Sequence, residues 1–430
     1  MQKFILLLLI TFFFQNVSAN AQHEQMNHEP TQPSHGSSHQ GMRKQMKALY
    51  GSYPMTRESS GTSWQPDSSP HEGLHFMKDD WMFMIHGFAN VIYDHQGGDR
   101  GDKKTFSESM FMFMGQRDFH AGTLGFRSMF SLDPLQGKDG YPLLLQTGET
   151  ADGISPLIDR QHPHDLFMEL AMTYSLPLSD QSSIFGYVGL PGEPALGPPA
   201  FMHRLSGMDN PEAPISHHWL DSTHITYGVT TLGYIWNNFK IEGSAFRGRE
   251  PDEDRWDIEG PELDSYATRL SYNPTENWSF QASYGDIDSP EQLHSDVDTQ
   301  RYTASAAYNK PFEHGNWQMM LAWGRNNNEP GHHLNAFLWE SSIQLKKMHT
   351  FFTRFERTEK DELFPEGDPL EGEVFKVNKS TLGYVYDFSK WKQMKWGIGA
   401  SYSWHFLPNE LDPAYGKDPE SFMIFARIKL

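Results

Sequence analysis

Two stretches of this chain concentrate side chains that can carry charge or hold a ligand. The first is Asp159-Arg160-Gln161-His162-Pro163-His164-Asp165, with Glu169 close behind. The second runs over residues 191–224 and holds Met202-His203-Arg204, Met208-Asp209, His217-His218, Asp221 and His224. Imidazole with carboxylate suits Zn, Ni or Cu(II), and thioether suits Cu(I). A His-x-His pair such as His162 and His164 puts both rings on one side of an extended segment, where they can chelate. The same residues also make an ordinary polar pore lining. Arg160 and Arg204 set against Asp165, Glu169, Asp209 and Asp221 would give a transverse field that orders water and filters solutes without a metal. The pore lining is the first reading. A transition metal, copper among the candidates, held by His162, His164, His203, His217, His218 and His224 is the second.

Further candidates lie nearer the start. Residues 22–47 hold His23, His28, His35 and His39 with Met26, Met42 and Met46. The stretch has few bulky apolar groups and reads as a disordered tail. Histidine-rich tracts capture transition metals, although such a tract also serves as a plain solvated tail. Met82, Met84, Met110, Met112 and Met114 alternate along two neighbouring segments. They form either a soft-ligand track on a lumen wall, together with His86, or gap-filling packing. Chemistry of the catalytic kind finds no foothold: no Gly-x-Ser-x-Gly elbow is present. An outer-membrane hydrolase stays as the remote alternative, and no enzyme is expected.

Whatever these residues do, something must position them. Residues 191–224 are rich in proline and glycine and show neither strand nor helix periodicity. A loop of that length inside a compact domain is functional or disordered. Around it the sequence alternates apolar and polar residues in sixteen segments: 79–94, 106–117, 123–133, 165–176, 182–190, 223–236, 239–249, 265–273, 278–286, 300–309, 317–325, 335–346, 350–358, 374–388, 394–406 and 421–430. Period-2 alternation is the mark of strands with one apolar face. Long and short connections alternate between these segments, as they do between the extracellular loops and periplasmic turns of a membrane barrel. Many segments are long enough to cross a bilayer at a tilt, for which roughly 9–11 residues suffice.

Composition agrees. The chain carries 55 acidic against 35 basic residues, a formal charge of −20, which argues against nucleic acid as a partner. Without cysteine it has no disulfide and no thiolate metal site. Aromatics reach 14% while the hydrophobic fraction is only 37%, a pairing that suits strands apolar on one face with aromatic girdles at the interfaces. Lys3, the apolar run Phe4 to Phe14 and the small residues around Val17 to Ala21 read as a secretory signal peptide over residues 1–21.

The signal peptide, the sixteen amphipathic segments and the closing SFMIFARIKL resemble a Gram-negative outer-membrane β-barrel of the porin-like type. The resemblance is one of architecture and covers residues 79–430. In that family the last strand usually ends in an aromatic residue. Here it ends in Leu430, with Phe422 and Phe425 further back. The resemblance implies an all-β, up-and-down transmembrane barrel in the outer membrane with a tail in the periplasm. It also implies contact with lipid and lipopolysaccharide, passage of small solutes, and a homotrimer in which one loop folds inward as a constriction; residues 191–224 are similar to that loop in position and length. The Met/His-rich leader is similar in composition to copper-resistance outer-membrane proteins, which adds metal ions to the expected partners. Residues 22–78 form the tail and a lead-in, of which 48–78 is a plug, a cover for the mouth, or a linker. A metal-binding barrel with a plugged lumen is the alternative function.

Overall fold

The computed structural model describes residues 48–391 and 394–430. Nineteen strands are found there: β1 (Leu74–Lys78), β2 (Trp81–Gln96), β3 (Lys103–Phe119), β4 (Gly122–Phe130), β5 (Tyr141–Thr150), β6 (Pro156–Gln161), β7 (Phe167–Ser179), β8 (Ser182–Gly189), β9 (Val229–Trp236), β10 (Phe239–Phe246), β11 (Ser265–Thr275), β12 (Trp278–Ile287), β13 (Asp298–Phe312), β14 (Gly315–Glu329), β15 (His333–Leu345), β16 (His349–Lys360), β17 (Phe375–Trp391), β18 (Met394–Phe406) and β19 (Glu420–Lys429). β2 to β4 and β7 to β19 form a closed antiparallel barrel of sixteen strands. β19 seals it against β2, from Ser421 opposite Gln96 to Lys429 opposite Phe88. Closure leaves no long unpaired edge.

Each of the sixteen expected segments corresponds to one barrel strand. Alternation decides which side chain faces outward: on β15, Phe337 and Trp339 point out while Ala336, Leu338 and Glu340 are buried inside. On β2, Val91 and Tyr93 face out, and Asn90, Ile92 and Asp94 face in. A closed barrel with an apolar outer face satisfies every ladder group internally, which is what a bilayer demands. The turns 120–121, 180–181, 237–238, 276–277 and 313–314 all lie at one end of the barrel, and the long connections 131–166 and 190–228 at the other.

Some boundaries moved. The connection expected at 326–334 is only 330–332, because β14 and β15 both run further than their apolar cores. The sixth segment, expected from Thr223, begins at Val229. Residues 222–224 form a short 3-10 turn instead, so His224 belongs to the inserted loop and not to the wall. Asp79 and Asp80, expected at the head of the first strand, form the turn between β1 and β2, with Asp79 at φ 53°. Aspartate tolerates that left-handed conformation better than most residues.

Of the three roles open to residues 48–78, the plug is the one observed. Leu49 and Tyr50 accept hydrogen bonds from Ser175 and Ser183 on the wall. Arg57 pairs with Asp67 through two nitrogens and lies over the Tyr53 and Trp64 rings. Lys240 donates to the Thr62 carbonyl from the far side, and Asn309 to that of Ser68. The segment thus ties β7, β8, β10 and β13 together across the short-turn mouth, and its last residues add β1 to the lower half of β2.

Candidate functional site in the barrel lumen

Residues 190–228 fold back into the barrel, and residues 191–226 are buried except for a few partly covered side chains. No helix longer than one turn, His217–Leu220, supports them. Buried backbone needs partners, and the wall supplies them: Ser244 and Ser283 accept from the amides of Ala195 and Gly197. The connection 131–166 folds inward beside it and carries the β5–β6 hairpin, whose β5 is buried throughout.

Ion pairs fix the inserted segment to the opposite wall. Arg204 donates to Glu340 on β15 at 3.0 Å and also pairs with Asp221 of its own segment. Glu340 in turn accepts from Arg354 on β16 at 2.9 Å. Asp209 pairs with Arg427 on β19, which also holds Asp387 on β17 at 2.9 Å. Glu212 pairs with Lys379 at 2.7 Å. On the near wall, Glu169 accepts from Arg127 and from the Tyr187 hydroxyl; among the long connections, Asp165 and Glu149 share Arg255. Five of the six expected constriction residues, Asp165, Glu169, Arg204, Asp209 and Asp221, are buried in ion pairs, Asp165 among the long connections. Arg160 is not: it lies partly exposed at the rim, paired with Asp102 and Asp139. Those two carboxylates, both well exposed, hold its charge where water reaches it.

The two histidine stretches do meet. Ring centroids of His217 and His224 are 5.1 Å apart, those of His164 and His224 5.4 Å, and those of His162 and His218 6.3 Å. Three of these rings are held by Nδ1: His164 by Asp133, His217 by Asp221, and His224 by the Asp221 carbonyl. His203 stands apart, against Met129. Burial holds His162 and His224 well below the ordinary imidazole range and pushes His218 and His203 down to about 3. Neighbouring cations add to this: Arg255 for His162, and Arg127 beyond His86 for His203. These rings are neutral at neutral pH and add no positive charge to the lumen. Burial alone would raise Asp221, but Arg204 and His217 overcome it and hold it below the usual carboxylate range. Among the described residues no group of three or more His, Asp or Glu side chains is gathered closely enough to hold a metal ion. The tail candidates His23, His28, His35, His39, Met26, Met42 and Met46 lie outside the described residues.

Glu340, Arg354, Arg427, Asp387 and Asp133 escaped the sequence reading. Of the four wall residues, Glu340 and Arg354 carry one usable signal, a charged residue in the middle of an alternating segment; Asp387 and Arg427 lie nearer the ends of theirs.

The inserted segment divides the space that remains. His203, Leu205 and Met208 line a cavity of about 120 Å³ on the short-turn side. His218 and Trp219 of the same segment line one of about 450 Å³ on the long-loop side, with Glu250, Glu291, Arg301 and Lys360.

Comparison with known proteins adds fold-level likeness only. No family model matches the chain, and no curated protein does. Solved structures that resemble it include OmpF of Salmonella typhi, at 10% identity and a TM-score of 0.49, covering 83% of this chain and 100% of that one. The outer membrane channel DcaP of Acinetobacter baumannii has 10% identity and a TM-score of 0.48 over 84% and 100%. An anion-selective porin from Comamonas acidovorans has 11% and 0.46 over 81% and 99%.

Proposed function

We propose that this protein is a porin-like channel in the outer membrane of a Gram-negative bacterium, with its tail in the periplasm, passing small solutes along a narrow path. The division of the lumen by one anchored segment carries this reading. Solute must move between a wide, charged outer chamber and a small inner one past buried ion pairs, and then past the plug of residues 48–78 at the short-turn mouth, so passage is restricted to small species. Charged groups at such a constriction select by field as well as by size. The test is single-channel conductance in a planar bilayer for the native chain and for a variant with residues 195–216 shortened. Small steps in the native chain and larger ones in the variant are expected. Absence of conductance in both would sink the channel reading. A homotrimer, the assembly that the porin resemblance implies, is checked by cross-linking in detergent.

A second reading, transition-metal binding at the lumenal histidines, is favoured by one feature. His164, His217 and His224 each bond through Nδ1 to an oxygen acceptor, the arrangement that orients Nε2 of a metal-ligating imidazole. Micromolar Cu(II) that blocks the conductance of the native chain but not of a His217→Gln variant would support it.

A further inference from the structure

The inner cavity has a wall unlike the rest of the lumen. Strand register places its side chains in rows. His75 on β1 stands opposite Met84 on β2, and Met84 opposite Met114 on β3. One rung deeper, His86 on β2 stands opposite Met112, and Met112 opposite Met129 on β4. Residues directly opposite on one face have Cβ atoms about 4.5–5.5 Å apart, so each row offers adjacent sulfur and nitrogen donors. His203, from the inserted segment, closes the second row from above. Its Nε2 lies 3.3 Å from the Met129 sulfur, and its ring faces His86 at 6.5 Å between centroids. With metal–sulfur and metal–nitrogen bonds of about 2.3 and 2.0 Å, a tetrahedral ion holds two such ligand atoms about 3.5 Å apart. His86 donates Nδ1–H to the Leu430 carbonyl, which leaves Nε2 as a lone-pair donor.

Packing alone does not account for this wall. Methionine fills gaps, yet here Met82, Met84, Met112 and Met114 line a cavity of about 120 Å³ together with His75, His86 and His203. Neither ring nitrogen of His75, both buried, has a hydrogen-bond partner, which is costly unless something else is met there.

We propose that this Met/His-lined cavity, at the short-turn end of the barrel and under the plug, binds a soft monovalent cation, Cu(I) or Ag(I). Thioether with neutral imidazole suits such ions, whereas Zn(II) is held by thiolate, imidazole or carboxylate, and harder cations by oxygen. Glu58, Glu72 and Arg127 also line the cavity, and Glu72 is already paired with Lys395 and Lys429, so selection rests on the soft donors and not on net charge. The site uses different side chains from the histidine cluster above it and does not depend on the protein conducting.

The experiment is Ag(I) titration by calorimetry, in chloride-free buffer, on the purified full-length chain in detergent. Three forms are compared: native; a tail variant with His23, His28, His35 and His39 changed to Ala and Met26, Met42 and Met46 to Leu; and that variant with Met82→Leu, Met84→Leu, Met112→Leu and Met114→Leu added. Heat-modifiable migration on gels confirms the barrel in each. Met to Leu conserves volume and is well tolerated; the pair Met84→Leu and Met114→Leu replaces the four-site change if that does not fold. The tail variant should keep one tight Ag(I) site that excess Zn(II) does not displace. The wall variant should lose affinity by about 10–100-fold or more, at least what an outer-sphere change costs a metal site. X-ray absorption on Cu(I) bound to the tail variant should show mixed sulfur and nitrogen ligation. Loss of the site in the tail variant, binding by the wall variant equal to that of its parent, or ligation without sulfur would each overturn the proposal.

Discussion

The Arg204 guanidinium, carried by the inserted segment, lies 3.0 Å from Glu340 on the opposite wall, and Arg354 reaches the same carboxylate at 2.9 Å. One buried carboxylate thus bridges two buried guanidiniums, with Asp221 as the second anion on Arg204, and pins a loop without regular structure to the far side of the barrel. Removing one partner of such a pair leaves an uncompensated buried charge and typically costs about 3–5 kcal/mol. Glu340→Ala should therefore loosen residues 190–228 while the barrel stays closed. Limited proteolysis of that segment, set against unchanged heat-modifiable migration, reads the two effects separately. Equal protease resistance in variant and native chain would mean that the pair is not what holds the loop.

Acid should have a related effect with a definite sign. Burial pushes His203 and His218 of the inserted segment down to about 3. An unfolded histidine titrates near 6.5. Between about pH 6.5 and 3 the unfolded chain carries protons that the folded one refuses, so stability is fully present above pH 6.5 and falls on acidification, by about 1.4 kcal/mol per pH unit for each fully buried ring. Urea midpoints measured in detergent from pH 7.5 to 4 should decline through this window. His203→Gln together with His218→Gln should flatten the decline. A slope unchanged by the double variant would place the acid sensitivity elsewhere.

How much of this was legible in the sequence follows from the range of the interactions. Strand alternation is local, so all sixteen barrel strands and the inward orientation of Met82, Met84 and His86 could be read from parity. The pairing of Arg204 with Glu340 spans 136 residues and is set by barrel closure, which no local pattern encodes. The plug was left open for the same reason. Its partners Ser175, Ser183, Lys240 and Asn309 are scattered over four strands. Arg160 misled because its sequence neighbours, His162 and His164, do turn inward, whereas Asp102 and Asp139 draw it to the rim.

Asp221 is the hinge of the histidine cluster, since its carboxylate orients His217 and its carbonyl orients His224. Asp221→Asn keeps the shape but removes the charge facing Arg204 and offers His217 a weaker acceptor. If the lumenal rings hold a transition metal, affinity should fall by about 10–100-fold, the usual cost of an outer-sphere change. Equilibrium dialysis with Cu(II) checks this, with the tail histidines replaced so that they do not compete. An unchanged binding curve would remove the metal reading for this cluster, and the ion pair with Arg204 would then stand as a purely structural contact.

Leu232 tests the membrane face itself. It lies in the middle of β9, opposite Gly186 on β8 and Gly243 on β10, and is 70% exposed, while its neighbour Thr231 is buried inside against Ser244. In water such an exposed leucine would tolerate any polar residue. In a bilayer an arginine at mid-depth costs about 2–4 kcal/mol, falling to about 0–1 near the interface. Leu232→Arg should therefore lower folding stability in lipid vesicles by that amount. Phe239→Arg, next to the short turn at 237–238, should cost much less. The same two variants in detergent micelles, which adapt to a charge, should differ little from each other. Equal costs at both positions in vesicles would mean that this face does not lie at the depth that its apolar band implies.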